Sequence, residues 1–190
     1  MDYFYGDPHF GHFNCIDFDN RPFNTVEEMD LTLIEKYNAK VTNKDDVYIM
    51  GDFYLGKTYP PEWYLGQLNG KKHLIIGNHD FKMLKNSKAM SYFDSAEGIL
   101  CLNYKSRFVV LCHYPIIDWN RMYRGSYHIY SHVHTIVNED TLHMMKKERA
   151  LNAGCMINNY EPVTFEELVF NNEKYKNKIL KESVHNNESV

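Results

Sequence analysis

The sequence predicts an α/β layered sandwich, with mixed or paired central β-sheets flanked by helices, and three observations predict it. Short apolar runs alternate with helix-spaced patterns through the first half of the chain, whereas the second half is mostly strand-like. Several apolar runs stop abruptly at glycine or at a polar cluster, as buried strands do on leaving a sheet. Neither a repeat nor a linker divides the 190 residues, which suffice for one core. Residues 1–170 therefore read as a single domain, and the polar segment 171–190 as a frayed helix or disordered tail.

Taken in order, Tyr3-Phe4-Tyr5 reads as a first strand. Thr25-Val26-Glu27-Glu28 has the form of a capping box, and Met29, Leu33, Ile34, Tyr37 and Val41 then recur at helical spacing, which predicts a helix from about Val26 to Val41. Val47 to Met50 is a second strand, stopping at Gly51. Pro60-Pro61 opens a helical stretch that Asn69-Gly70 ends. His73 to Ile76 is a third strand, stopping at Gly77, with a short helix expected around Phe81 to Lys88. Gly98 to Tyr104 and Phe108 to Cys112 form a hairpin across Lys105-Ser106. Tyr127 to Tyr130, Thr141 to Met145 and Ala150 to Asn152 read as strands, and Thr164 caps a short final helix.

Composition excludes several classes. The formal charge of -4 offers no general basic surface for long nucleic acid, although it leaves a local basic cleft open. Cys15, Cys101, Cys112 and Cys155 form no CxxC pair, and Cys112, inside an apolar run, reads as a buried thiol. Met1 to Gly6 lack the basic and apolar stretches of a signal peptide. No apolar run nears the roughly 20 residues that span a bilayer. The expectation is a reducing, cytoplasmic setting without a membrane.

Chemistry gathers at the strand ends. The first strand runs into Asp7-Pro8-His9, the second into Gly51-Asp52 and the third into Gly77-Asn78-His79-Asp80. Phe108 to Cys112 runs into His113, and Tyr127 to Tyr130 into Ser131-His132-Val133-His134. Ligands of open α/β sheets bind outside the carboxyl ends of the strands, so these residues can converge. Together Asp7, His9, Asp52, Asn78, His113, His132 and His134 offer seven donors, too many for one tetrahedral zinc and suited to two ions sharing a carboxylate. Carboxylate, amide and imidazole without thiolate favour Mn, Fe, Zn or Ni over Mg or Ca.

In this order, the blocks Asp7-x-His9, Gly51-Asp52, Gly77-Asn78-His79-Asp80, His113 and His132-x-His134 resemble the five-block signature of calcineurin-like metallophosphoesterases, across about two-thirds of the chain. The resemblance implies Asp7, His9, Asp52 and His134 around one ion. It implies Asp52, Asn78, His113 and His132 around the other, with Asp52 bridging. It gives His79 the part of a non-ligand histidine that stabilises the transition state or protonates the leaving group, with Asp80 orienting it. Asn152-Ala153-Gly154 resembles the family's late Asn-x-Gly turn. Two departures stand out: Ser131 replaces the usual glycine, and Phe53-Tyr54-Leu55-Gly56 lacks the Asp-Arg of protein Ser/Thr phosphatases, which argues against a protein substrate. The segments Phe10 to Asn14 and Asn20 to Phe23, and the region around Trp119, are similar to a small bacterial and phage subgroup.

Each residue also has an ordinary reading. His73, His128 and His143 read as structural or surface histidines within strands, and His185 as an idle residue of the tail. His12 serves equally as substrate contact or loop bond, and Arg21 as phosphate ligand or loop anchor. The aromatic and basic stretch Tyr114 to Tyr130 reads as a rim loop rather than a base-stacking surface. Five coincidences at five strand ends are not credible. The expected activity is hydrolysis of a phosphate ester, first a diester and then a small-molecule monoester, through in-line attack by a hydroxide held between two divalent ions. A small phosphoester is the expected partner, nucleic acid a weaker one, and a catalytically silent metal-binding scaffold the alternative of another class.

Overall fold

Side-chain alternation along β1 (Asp2–Tyr5) sets the layering: Tyr3 and Tyr5 enter one hydrophobic core and Phe4 enters another. In the computed structural model, which describes residues 1–187 with side chains through residue 183, β1 is part of a five-stranded sheet. Its other strands are β2 (Asp46–Ile49), β3 (Lys71–Ile75), β4 (Phe93–Glu97) and β9 (Val163–Thr164), in the order β4-β3-β2-β1-β9. Only β9 runs antiparallel to its neighbour. A second sheet has the order β5-β6-β7-β8, from β5 (Ile99–Tyr104), β6 (Arg107–Cys112), β7 (Tyr127–Tyr130) and β8 (Ala150–Asn152), with β5 antiparallel.

The sheets face each other across Phe4, Met50, Ile75, Val109, Leu111 and Ile129. Behind the first sheet, Val47, Ile49 and Leu74 pack against Leu33 and Tyr37 of α2 (Val26–Lys40). Behind the second, Val110, Tyr130 and Ala150 meet Trp119 and Met144. The protein is thus an α/β sandwich of two mixed sheets, as the sequence predicts. Because β1, β2 and β3 are parallel neighbours, and β6 and β7 likewise, their carboxyl ends open on one edge. A bridge between Gly6 and Gly154 joins the sheets there.

Thr25 caps α2 as expected, accepting the Glu28 N–H at 3.1 Å, while the Glu28 carboxylate reaches back to the Asn24 N–H at 2.8 Å. Other expectations need correction. Thr141 to Met145 is not a strand but part of α5 (Glu139–Met145), so His143 lies on a helix. Asn138 and Thr141 make a reciprocal capping box, each side-chain oxygen accepting the other's backbone N–H at 2.9 Å, and Thr141, Met144 and Met145 are buried at helical spacing. Phe81 to Lys88 divides into a 3-10 turn, Asp80–Lys85, and the short α4 (Ser87–Met90). The helix opened by Pro61 is brief, α3 (Pro61–Leu65), and α1 (Asn14–Phe18) and β4 carry no clear periodic signal.

The last helix is long, not short: α6 runs Phe165–Asn187, through most of the segment read as a tail. Phe165 and Leu168 enter the core between the sheets, and beyond them its inward stripe is polar. The Asn172 side chain accepts the Asn152 N–H at 2.7 Å and donates to the Asn152 carbonyl at 2.9 Å, and Lys176 donates to the Ala150 carbonyl at 2.6 Å. Side chains that fasten a helix by hydrogen bonds look solvated in sequence. His185 and residues 188–190 lie outside the described side chains. No helix among the described residues is long and apolar enough to cross a membrane.

Candidate metal centre

The seven donors come together at the shared edge of the two sheets. One ligand atom each from Asp7, His9 and His134 lies within 4.8 Å of the others, and the same holds for Asp52, His113 and His132. Asp52 Oδ2 stands 3.8 Å from His9 Nε2 and 3.5 Å from His113 Nε2, so it lies at the join of the two groups. Asn78 Oδ1 is 3.1 Å from His113 Nε2, on the side of the second group.

The backbone gives up its relaxed conformation to do this. Asp7, His9, Asp52, His132 and His134 have φ of 51°, 53°, 50°, 69° and 50°, all left-handed. Each costs roughly 1 kcal/mol or more in a non-glycine residue. Backbone bonds hold them: the Asp7 N–H donates to the Gly51 carbonyl at 3.3 Å and the His9 N–H to the Asp52 carbonyl at 3.1 Å. The His132 N–H donates to the Asp7 carboxylate at 3.0 Å, tying the second sheet to the first. Gly51 and Gly77 leave room that no side chain could share. A Cβ on Gly51 would strike His113 Nδ1, and one on Gly77 would strike Asp52 Oδ1.

The imidazoles are aimed by their second nitrogens. His113 Nδ1 bonds the Met50 carbonyl at 2.7 Å, leaving Nε2 toward Asp52. Ser131, where the resembled family has glycine, donates to that same carbonyl and lies 3.1 Å from His113 Nδ1. His134 Nδ1 is 2.7 Å from Asp19 Oδ1, leaving Nε2 to face His9 Nε2 at 3.3 Å. Two lone-pair-bearing ring nitrogens turned toward each other suit a cation between them, and outer partners of this kind fix a ligand's tautomer and direction. Asn152, in the late Asn-x-Gly turn, donates to the His134 carbonyl at 3.0 Å and accepts the Gly154 N–H at 2.8 Å.

Charge in the cluster is unevenly held. Burial pushes the Asp7 carboxyl up to about 6, against the opposing pull of His134 and His113. Burial also acts to raise Asp52, but the hydrogen bond and charge of His113 overcome it and hold Asp52 down at about 2. Burial drives His9 well below its usual range, with Arg21 and His134 adding to the effect. Two buried carboxylates, an amide and four imidazoles with free nitrogens fit a pair of borderline divalent ions and contain no thiolate.

His79 stands at the rim with its side chain 39% exposed, its Nε2 3.9 Å from Asp52 Oδ2 and its backbone N–H bonded to Asp52 Oδ1 at 2.9 Å. Its neighbour corrects an expectation. The Asp80 carboxylate accepts three backbone N–H groups, from Asp52 at 3.0 Å, Phe53 at 3.0 Å and Gly77 at 2.8 Å. It clamps the loops after β2 and β3 together rather than orienting the His79 ring. Arg21 is likewise no phosphate ligand. Its side chain is fully buried and its guanidinium is spent on Asp19 at 3.0 Å, the Pro8 carbonyl at 2.8 Å and the Asp7 carbonyl at 3.0 Å. Asp19 itself was missed from sequence, because nothing in Asp17-Phe18-Asp19-Asn20 marks which acid turns inward.

His12 stays near the chemistry. Its Nδ1 lies 3.4 Å from His9 Nδ1 and its ring 6.5 Å from that of His79. His128 is structural, its Nδ1 bonded to the Val110 carbonyl at 3.0 Å, and His73 bonds Asp46 and Ser95, each at 2.9 Å. In the Tyr114 to Tyr130 stretch, Trp119 is buried and donates to Ser126 Oγ at 3.1 Å. A hollow of about 800 Å³ lies between Pro115, Ile117 and α5, and none of the seven donors lines it. Convergence of ligand atoms, not volume, marks the site.

No protein-family model matches the sequence. The chain is 32% identical over 169 residues to the uncharacterized protein MJ1445 of Methanocaldococcus jannaschii, covering 88% of each chain. It is 37% identical over 81 residues to the gene 66 protein of Mycobacterium phage L5, covering 41% of this chain and 39% of the phage protein. Among solved structures, protein AQ665 of Aquifex aeolicus, described as of unknown function, superposes with a TM-score of 0.67 at 24% identity over 88% of this chain and 96% of that one. The likeness to that structure shows a shared fold.

Proposed function

Because the chain belongs to the family of the M. jannaschii protein MJ1445, and its ordered site resembles that of the calcineurin-like metallophosphoesterases, we propose that it is a metal-dependent hydrolase of phosphate esters, acting first on diesters. The observation that carries this reading is the position of Asp52, whose Oδ2 lies within 4 Å of ligand nitrogens from both three-residue groups. A single carboxylate so placed would serve two ions at once.

Asp7, His9, Asp52 and His134 would hold one ion, and Asp52, Asn78, His113 and His132 the other. Two such ions, drawn from Mn, Fe, Zn or Ni, would supply a nucleophilic water at neutral pH and offset charge on the phosphoryl oxygens. This chain's own part is to orient the ligands, hold the strained loops in place and deliver a proton. Water adds to phosphorus and gives up a proton to solvent, the bond from phosphorus to the leaving oxygen breaks, and His79 gives its proton to that oxygen and regains one from solvent. Partial exposure of His79 at the rim fits an alcohol that departs into solvent.

Purified protein should hold close to two metal ions per chain by elemental analysis. With added Mn it should cleave bis-p-nitrophenyl phosphate faster than p-nitrophenyl phosphate. Asp52→Asn should lose metal and activity together, whereas His79→Ala should lose turnover and keep both ions. A protein that binds no metal and cleaves neither ester ends the proposal, and a preference for the monoester replaces diester with monoester.

A further inference from the structure

Positive charge without a partner lines the groove beyond His79. The ring of His79 borders a hollow of about 280 Å³ whose wall includes Tyr54, Lys57, Lys82 and Asn86 and contains no Asp or Glu. A second hollow, of about 500 Å³, passes His12, Phe13 and Glu27 and shares Leu55 and Lys57 with the first. Lys57 therefore stands where the two meet, beside the His12 and His79 rings that face each other 6.5 Å apart.

Neither Lys57 nor Lys82 makes an ion pair within 4 Å among the described residues. Glu62 of α3 is turned to other partners, Lys88 at 3.8 Å and the Asn86 amide at 3.0 Å. The loop that presents Lys57 is fixed, since the Tyr54 hydroxyl holds the Gly56 and Tyr59 carbonyls, each at 2.8 Å. A chain with an acidic balance thus keeps two cations unpaired along one groove, next to the histidine that meets the leaving oxygen. Unpaired lysines attract an anion at short range even where the net charge is negative.

We propose that Lys57 and Lys82 form a leaving-group subsite for a second phosphate, so that the preferred substrate is a phosphodiester whose departing alcohol carries a further phosphate, as in a phosphorylated dinucleotide. The inference rests on the hydrolase reading above, because His79 decides which end of the substrate enters the groove. The scissile bond from phosphorus to oxygen breaks, the alcohol oxygen takes the His79 proton, and the second phosphate leaves with the alcohol unchanged.

The test uses full-length protein with Mn and three substrates: the dithymidine diester alone, the same diester with a 5′-terminal phosphate, and the same with a 3′-terminal phosphate. One of the two phosphorylated forms should exceed the bare diester in kcat/KM by about tenfold at low salt, the sum of two exposed ion pairs. The ratio should fall toward one in the Lys57→Ala/Lys82→Ala protein and at high ionic strength. Calorimetric titration of the metal-free protein should show the same ranking in binding, independent of turnover. Equal rates for all three substrates, or a ratio that survives the double substitution, overturn the subsite and leave the hydrolase standing. A protein that cleaves bis-p-nitrophenyl phosphate but none of the three overturns the subsite alone, and one that holds two ions yet cleaves no ester at all overturns both.

Discussion

His134 Nδ1 lies 2.7 Å from Asp19, and the Asp19 carboxylate is in turn held by the buried guanidinium of Arg21 at 3.0 Å. The same guanidinium bonds the carbonyls of Asp7 and Pro8, so one arginine braces the Asp7 to His9 loop directly and the His134 loop through Asp19. The arrangement keeps His134 Nε2 turned inward. Burial lowers the pKa of His134, but the hydrogen bond and charge of Asp19 outweigh that and raise it.

From this relay we predict that Asp19→Asn weakens metal binding without unfolding the protein. Outer partners of metal-bound histidines are worth about 10–100-fold in affinity, which sets the expected loss. Competition with a chelator reads it, with circular dichroism as the check on folding. Unchanged affinity in Asp19→Asn would show that His134 is directed by packing alone. Arg21→Lys should act in the same sense, because an ammonium cannot reproduce the planar fork that reaches Asp19 and two carbonyls together.

The seven donors were legible in sequence because each follows an apolar run at a strand's carboxyl end, and a parallel sheet puts such ends on one edge. The sandwich was legible from strands whose alternate residues are all apolar, as in Tyr3-Phe4-Tyr5, which lies between two cores. Asp19 and the true role of Asp80 were not, because their partners are backbone groups and side chains remote in the chain. Nor was the length of α6, whose inward face beyond Leu168 bonds through Asn172 and Lys176. The left-handed backbone of Asp7 and His134 is imposed by tertiary contacts and leaves no local signature.

Asp80 and His79 are adjacent but should fail differently. Asp80→Ala removes the acceptor for three buried N–H groups, so we predict a loss of about 3 kcal/mol in stability, with metal binding lost as the loops part. His79→Ala, at the half-exposed rim, should change stability by no more than about 0.5 kcal/mol. Urea denaturation of the two variants separates the roles. Equal destabilisation by both would contradict the assignment of Asp80 as a clamp.

His128 gives an acid limit that is independent of the metal centre. Burial pulls its pKa from 6.5 down to about 4, while the neutral ring bonds the Val110 carbonyl and accepts the Ile116 N–H, each at 3.0 Å. Its folded pKa is depressed, so the unfolded chain binds the proton more readily. The contribution of the neutral ring is therefore complete above pH 6.5 and is lost as the pH falls through about 4. We predict a fall of about 3 kcal/mol in stability across that interval from this residue. A His128→Gln protein, unable to titrate there, should show a flatter profile over the same range, and an identical slope in both proteins would remove His128 as the cause.

Gly77 sets the closest approach between the loops after β2 and β3. A Cβ there would meet the Asp52 carboxylate, held by the His79 N–H, and lie 2.6 Å from the Asp52 backbone nitrogen, fixed by the Asp80 clamp. Neither group is the free end of a flexible chain, so the loops must separate to admit a methyl. We predict that Gly77→Ala costs the protein metal binding outright and stability by about 1–3 kcal/mol, the usual range for overpacking. Gly98 supplies the control, because a Cβ there meets nothing within 4 Å, and Gly98→Ala should leave metal content unchanged. Metal analysis and thermal denaturation of the two proteins decide the matter, and a Gly77→Ala protein that still holds two ions would mean that Asp52 can move without releasing them.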